Sequence, residues 1–258
     1  MKKLADKVAL IVGASSGIGR ATALAFAREG AKLVVASRRD LEGEKTARLV
    51  REMGGEVLFI QTDVAKSLEV EALVKKTVEL YGCLDIAFNN AGVEGPIRTL
   101  TEQTEDDFDE IININLKGMF LSMKNEILQM LKQGNGTIVN TSSISGLIGM
   151  PASAIYAASK HGVLGLTKSA ALEYAEFGIR INAVSPAAID TPMLNRFLNN
   201  NPFLGSPEDS KELFKEKHPL GRIGQPEEVA ETVVWLCSDG ASFITGQSIA
   251  IDGGYTVQ

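Results

Sequence analysis

The chain has 258 residues, 45% of them hydrophobic and 22% charged, with 26 basic against 32 acidic side chains and a formal net charge of −6. A chain of this size and balance builds an ordinary core without disulfides or metals, and its acidity sets nucleic acid aside as a partner, because a phosphate backbone repels a negative protein. Cys83, Cys237, His161 and His218 stand apart, with no CxxC or Cys/His spacing. That excludes a structural zinc site and points to thiols kept reduced, with the cytoplasm as the expected location.

In chain order, Lys2-Lys3 and the apolar residues that follow imitate a leader, but Asp6 and Lys7 interrupt them and Val8–Val12 is short for such a segment. Val8–Val12 reads as a first strand ending in Gly13. A helical pattern follows to Arg28, with Gly30 as its C-terminal stop. Residues 32–36 read as the second strand. Asp40 is expected to cap a helix that runs to Met53 and stops at Gly54-Gly55. A third strand follows at 56–61. The helix Ser67–Tyr81 presents Val70, Leu73, Val74 and Thr77 on one face, and residues 84–89 give a fourth strand.

The second half repeats the alternation, with a long helix over about 104–131, a strand at 137–140, a helix over 153–176 and a strand at 180–184. Pro226 suits the first position of a helix that ends near Cys237, and Ser248–Ile251 is the last strand. Apolar strands alternating with amphipathic helices predict an α/β, three-layer, doubly wound parallel sheet (a Rossmann fold), with residues 1–258 as a single domain. Residues 187–221, holding Pro192, Pro202, Pro207 and Pro219, read as an irregular lid or binding segment. No apolar run approaches the roughly 18 residues of a membrane span, so no membrane partner is expected.

Three motifs carry the chemistry. Gly13-Ala-Ser15-Ser16-Gly17-Ile18-Gly19 lies between the first strand and first helix, where glycines let the backbone approach a pyrophosphate and the helix offers free N–H groups to it. At the end of the second strand stands Ser37-Arg38-Arg39 rather than a carboxylate. A hydroxyl beside guanidinium groups suits a 2′-phosphate, which favours NADP over NAD; the other reading is a solvated surface pair, and Asp40 and Glu42 nearby blur the distinction. Tyr156-Ala-Ala-Ser-Lys160 puts a phenol and an ammonium on one helical face. The ammonium is expected to favour the phenolate, giving a usable acid/base group. Ser143, in Asn140-Thr-Ser-Ser-Ile-Ser145 just past a strand, is placed to polarise a carbonyl beside Tyr156. Ser142 is its neighbouring rival.

Taken together, these motifs resemble the single-domain members of the short-chain dehydrogenase/reductase family, over essentially the whole chain. The resemblance implies that the glycine loop binds the cofactor, with Val12 where threonine is common. It implies that Asp63 and Val64 flank the adenine, and that Asn90, Ala91 and Gly92 of Asn89-Asn90-Ala91-Gly92 close over the adenosine side. Pro186, Ile189 and Thr191 would meet the nicotinamide end. Asn115 would hold a water linking Lys160 to solvent, and Ser143, Tyr156 and Lys160 would be the remaining catalytic groups, Lys160 also holding the nicotinamide ribose. Ala187 departs from the family's glycine, at a position where φ > 0 would be uncomfortable for it.

The expected activity is hydride transfer between NADP(H), with NAD the alternative, and a ketone, aldehyde or secondary alcohol. A non-catalytic nucleotide sensor is the rival from another class. The resemblance also implies a homotetramer, joined through the long helices and the C-terminal segment. The expected partner is a small carbonyl or alcohol compound, in a pocket holding Ile144, Leu147, Ile148, Met150, Met193, Leu194 and Phe197. Met150-Pro151 and residues 197–203 either line that pocket or simply pack.

Overall fold

A computed structural model of the chain describes residues 2–203 and 206–258. Seven parallel strands form one sheet in the order β3-β2-β1-β4-β5-β6-β7. They are β1 Val8–Val12, β2 Lys32–Ser37, β3 Val57–Gln61, β4 Ile86–Asn89, β5 Gly136–Thr141, β6 Ile179–Pro186 and β7 Ser248–Ile251. Every residue of β1 is buried, because both faces of the sheet are covered. Ala9, Ile11, Leu33 and Val35 point into one apolar layer, while Leu10, Val12, Val34 and Ala36 point into the other. This continuous burial is what parallel βαβ winding imposes.

The first layer holds α1 Gly17–Arg28, α2 Asp40–Glu52 and α9 Pro226–Cys237. The second holds α3 Ser67–Tyr81, α5 Gly118–Gln133 and α6 Ala154–Tyr174. The predicted face of α3 is confirmed: Val70, Leu73, Val74 and Thr77 are its buried residues. Asp40 does not cap α2. Arg39 is the cap and Asp40 opens the first turn, where its charge still meets the positive end of the helix dipole.

Two stretches differ from expectation in a way that matters for the site. The long helix expected over 104–131 is α4 Glu105–Ile112, then a wider π turn at Asn113–Lys117, then α5. Such turns insert a residue into the helical ladder and are frequent at functional sites. The 187–221 stretch is not irregular but carries α7 Pro192–Asn199 and α8 Pro207–Glu216. A proline at the first helical position loses nothing, since that N–H has no partner inside the helix. The excursion is closed at its base, where Asp190 N donates to Gly224 O (2.9 Å) and Gly224 N to Ala188 O (3.0 Å).

A polar seam runs beneath β4 and β5. Asn89 Nδ2 donates to Glu126 Oε2 on α5 (2.8 Å) and to Asn140 Oδ1 (3.1 Å), and Asn140 Nδ2 donates to Thr167 Oγ1 on α6 (2.9 Å). Burial pushes the Glu126 carboxyl up to about 7, against the opposing pull of Asn89. Asn89 Oδ1 and Glu126 Oε1 are both buried with no partner. A proton on Oε1 makes the two complementary, as donor and acceptor.

Candidate active site

Strand order reverses between β1 and β4, and the crevice beyond the carboxyl ends of parallel strands is where such sheets bind ligands. A cavity of about 470 Å³ opens there. Gly13 leaves β1 at φ +88°, and a Cβ on it would stand 2.5 Å from Ala91 N. On Gly19 a Cβ would fall 2.2 Å from Gly13 O, so loop and helix touch backbone to backbone. Asn90 Nδ2 donates to Gly13 O (3.1 Å), tying β4 to this loop. Ser16 precedes α1 without a side-chain cap, and Ser15, Ser16, Gly17 and Ile18 border the cavity. The first turn of α1 therefore offers its N–H groups to an anion.

At the outer end, Arg39 Nη2 donates to Ser15 Oγ (2.7 Å) and Ser16 Oγ (2.8 Å). Ser37 Oγ donates to Arg39 O (3.0 Å), and Arg38 also borders the cavity. One guanidinium and two hydroxyls thus form a cationic cup at the tip of β2. Sequence reasoning missed Arg20, which buttresses this cup. Its Nε donates to Thr46 Oγ1 (2.9 Å) and its Nη2 to Ser15 O. Burial, and then the charge of Arg39, hold the Arg20 guanidinium below its ordinary range. Its position one residue after Gly19 was the available signal.

Val64 reaches the cavity as expected, but Asp63 does not; Thr62 takes its place. The Asp63 carboxylate accepts from Ala65 N (3.1 Å) in a local turn. Ala91, Gly92, Pro186, Ile189 and Thr191 all border the cavity. Thr191 caps α7, its Oγ1 accepting from Leu194 N at 3.3 Å. Among the described residues, Asp6 and Ala152 are the non-glycines with positive φ, so position 187 demands no glycine.

At the inner end Ser143, Tyr156 and Lys160 converge on the same cavity. Ser142 Oγ is engaged in donating to Lys160 O (3.0 Å), whereas Ser143 Oγ accepts from Ser145 N (3.1 Å) and keeps its own proton to donate. Lys160 Nζ donates to Thr141 O at 2.9 Å. It lies over the Tyr156 ring, 5.7 Å from the centroid.

The expected lowering of the Tyr156 pKa by Lys160 is not what this arrangement gives. Burial pushes the phenol up to about 12, Ser143 hydrogen bonding opposes that, and the Glu94 charge adds to it. Burial likewise pushes the Lys160 ammonium down to about 8. Low polarity disfavours both charged forms, and it wins over attraction between two groups not in direct contact.

Asn115 sits in the π turn, fully buried. Its Oδ1 accepts from Val93 N (2.8 Å), and its Nδ2 donates to Val93 O (2.9 Å) and Ser159 Oγ (3.2 Å). It grips the loop after β4. A Cβ on Gly92 would lie 3.2 Å from Asn115 Oδ1 and 3.6 Å from Lys160 Nζ, so the bare backbone passes between them.

Ile144, Met150, Met193, Leu194 and Phe197 line the substrate end together with Phe214, which sequence reasoning missed. Leu147, Ile148 and Pro151 lie outside that lining, and Phe203 borders a second cavity instead. Residues 204 and 205 fall outside the described ones. His161 faces away, its Nδ1 bonded to Ala157 O at 2.9 Å. Among the described residues no three His, Cys, Asp or Glu side chains group as metal ligands, and no helix is long and apolar enough to cross a membrane.

A doubly wound sheet with a phosphate loop at one end of the crevice and a Ser–Tyr–Lys set at the other defines a dinucleotide-dependent oxidoreductase. Residues 13–256 match the model of the family described as enoyl-(acyl carrier protein) reductase. The chain is 44% identical over 257 residues to the cyclohexanol dehydrogenase of Acinetobacter sp. strain SE19, covering 98% of this chain and 96% of that one. It superposes on the crystal structure of levodione reductase with a TM-score of 0.96 at 40% identity, covering 98% and 99% of the two chains. An actinorhodin polyketide ketoreductase variant with NADPH gives a TM-score of 0.93 at 37% identity, with 97% of each chain covered. The chain belongs to the short-chain dehydrogenase/reductase family. It is an oxidoreductase acting on CH–OH and C=O groups with a nicotinamide cofactor, and the reading as a non-catalytic sensor is set aside.

Proposed function

We propose that the enzyme uses NADPH to reduce compact, largely apolar ketones, alicyclic ones above all, to secondary alcohols. The observation that carries this reading is the pairing of the Arg39–Ser15–Ser16 cup with Ser143, Tyr156 and Lys160 at opposite ends of one crevice. The cup fits a 2′-phosphate monoester, since a guanidinium and two hydroxyls satisfy its oxygens and no carboxylate lines the cavity beside them. A bound dihydronicotinamide supplies the hydride. Ser143 donates a hydrogen bond to the substrate oxygen and stabilises the negative charge that develops there. The Tyr156 phenol then gives that oxygen a proton. A phenol held near 12 is fully protonated at neutral pH, which suits a donor. Lys160, fixed on Thr141 O, adds positive potential beside the phenol when protonated, and Asn115 positions the loop above it through Val93.

Ring-shaped substrates are supported by the apolar lining and by the names of the relatives, cyclohexanol dehydrogenase and levodione reductase. The first of those names also favours a second reading, oxidation of an alicyclic alcohol, for which NAD is the alternative cofactor. A panel of cyclic ketones with NADPH and NADH, and of the matching alcohols with the oxidised cofactors, followed by nicotinamide absorbance, separates the two. Turnover of alcohols with NAD alone overturns the first reading. We further propose a cytoplasmic homotetramer, supported by apolar side chains left exposed on and near the long helices (Phe108, Phe120, Leu128, Leu172, Phe177). Light scattering tests the assembly, and a monomer contradicts it.

A further inference from the structure

On the side of α7 the active-site cavity shares part of its lining with a second cavity. Glu94, Arg196 and Phe197 border both this cavity and a second one, which lies among residues 95–98, Asn200, Pro202 and Phe203. Glu94 and Arg196 meet as a two-pronged ion pair, Arg196 Nε to Glu94 Oε1 at 2.7 Å and Nη2 to Oε2 at 3.1 Å. Each partner has a fixed base. Glu94 follows Val93, whose N–H and C=O are both held by Asn115. Arg196 stands on α7 between the buried Leu194 and Leu198. The guanidinium fork matches a carboxylate in only one plane, so the pair makes a shaped partition and not merely a proximity of charges. Glu94 is close enough to the reacting end for its charge to act on the Tyr156 phenol.

We propose that the Glu94–Arg196 pair is the end wall of the substrate pocket and sets the upper limit on substrate length. Compact carbonyl compounds fit on the Tyr156 side of it, and a substrate with a trailing alkyl chain needs the wall opened so that the chain enters the second cavity. The inference rests on the carbonyl-reduction reading above. The Arg196 side chain is half exposed and that of Glu94 one-fifth exposed, and an ion pair so placed adds little to folding, so the wall can be removed without dismantling the protein.

The test uses cyclohexanones bearing alkyl groups from methyl to heptyl, with NADPH, on wild type, Glu94→Ala, Arg196→Ala and the exchanged pair Glu94→Arg/Arg196→Glu. For the wild type, kcat/KM is expected to fall about tenfold or more along the series, the scale on which pockets discriminate apolar groups. Either alanine variant should raise the heptyl-to-methyl ratio by about tenfold, and the exchanged pair should restore the wild-type ratio. A wild type indifferent to chain length, or alanine variants with an unchanged ratio, overturns the wall. If the wild type reduces none of these ketones with either cofactor, the carbonyl-reduction reading fails instead. Calorimetric binding of alkyl alcohols from butanol to decanol then tests the wall without turnover: longer chains must gain affinity in the alanine variants relative to wild type, and identical length profiles overturn it.

Discussion

Lys160 Nζ stands 5.7 Å from the centroid of the Tyr156 ring while donating to Thr141 O at 2.9 Å. The ammonium thus gives a hydrogen bond to the Thr141 carbonyl while lying over the phenol ring. Both groups are shifted toward their neutral forms, the tyrosine up to about 12 and the lysine down to about 8, with burial as the leading cause for each. The protein alone holds a proton donor in readiness; making a base of Tyr156 takes further positive charge brought in with the cofactor.

Tyr156→Phe removes the group proposed to protonate the substrate oxygen. Turnover is expected to fall by about 10²–10⁴, the range for loss of general acid–base help. NADPH affinity, measured by fluorescence titration, should stay within about threefold, because the cup proposed to hold the phosphate lies at the other end of the crevice. Turnover near the wild-type rate removes Tyr156 from the mechanism.

Lys160→Met should abolish turnover and yet stabilise the fold at neutral pH. The folded lysine titrates near 8, against an ordinary value of 10.5, so below pH 8 the folded state carries a charge it disfavours. The unfolded chain binds more protons between those values, so wild-type stability rises with pH across that window. The difference is on the order of 3 kcal/mol at full burial. Melting curves from pH 7 to 10.5 should show the variant above the wild type by several degrees at the low end, with the gap closing toward the high end. A gap that does not change with pH assigns the effect to packing instead.

Glu126→Gln has the opposite sign. The Glu126 carboxyl is raised from 4.5 to about 7 by burial, so the folded state binds the extra proton between those values and wild-type stability falls as pH rises through them. Glutamine keeps the acceptor for Asn89 Nδ2 and adds a donor for the unpartnered Asn89 Oδ1. The variant is expected to gain roughly 2–3 kcal/mol over wild type at pH 8 and progressively less toward pH 5. An equal melting difference at both pH values rules Glu126 out as the titrating group.

Arg39→Gln tests cofactor choice. Losing a charged fork at a phosphate site weakens NADPH binding by about tenfold or more, while NADH affinity should hardly change. Ser37→Asp, placing a carboxylate at the tip of β2, should shift the ratio of kcat/KM values further toward NADH. Equal losses for both cofactors would show that Arg39 supports the loop fold and not the phosphate.

Much of this was legible in the chain because its signals are local. Gly13, Gly17 and Gly19 mark a strand-to-helix turn, and the 3.6-residue period of α3 gave its buried face residue by residue. The helices within 187–221 were not legible, because Pro192 and Pro207 read as marks of irregular chain although both open helices. Glu94 and Arg196 are 102 positions apart and no periodicity joins them. Glu126 has the look of a solvent-facing residue until the sheet beneath α5 is in place. The backbone contacts of Asp63 and Asn115 were not legible either, since residue type alone does not say which N–H or C=O a side chain meets.

The bridge between Ile189 and Gly224 joins the two ends of the excursion that carries α7 and α8. Where two ends are joined in this way, the entropic cost of a longer detour between them grows slowly, by about 0.6 kcal/mol per doubling. Selection can therefore lengthen, shorten or rewrite α7 and α8 while Ser143, Tyr156 and Lys160 keep their footing. Recognition of new compounds is in this way uncoupled from the chemistry performed on them.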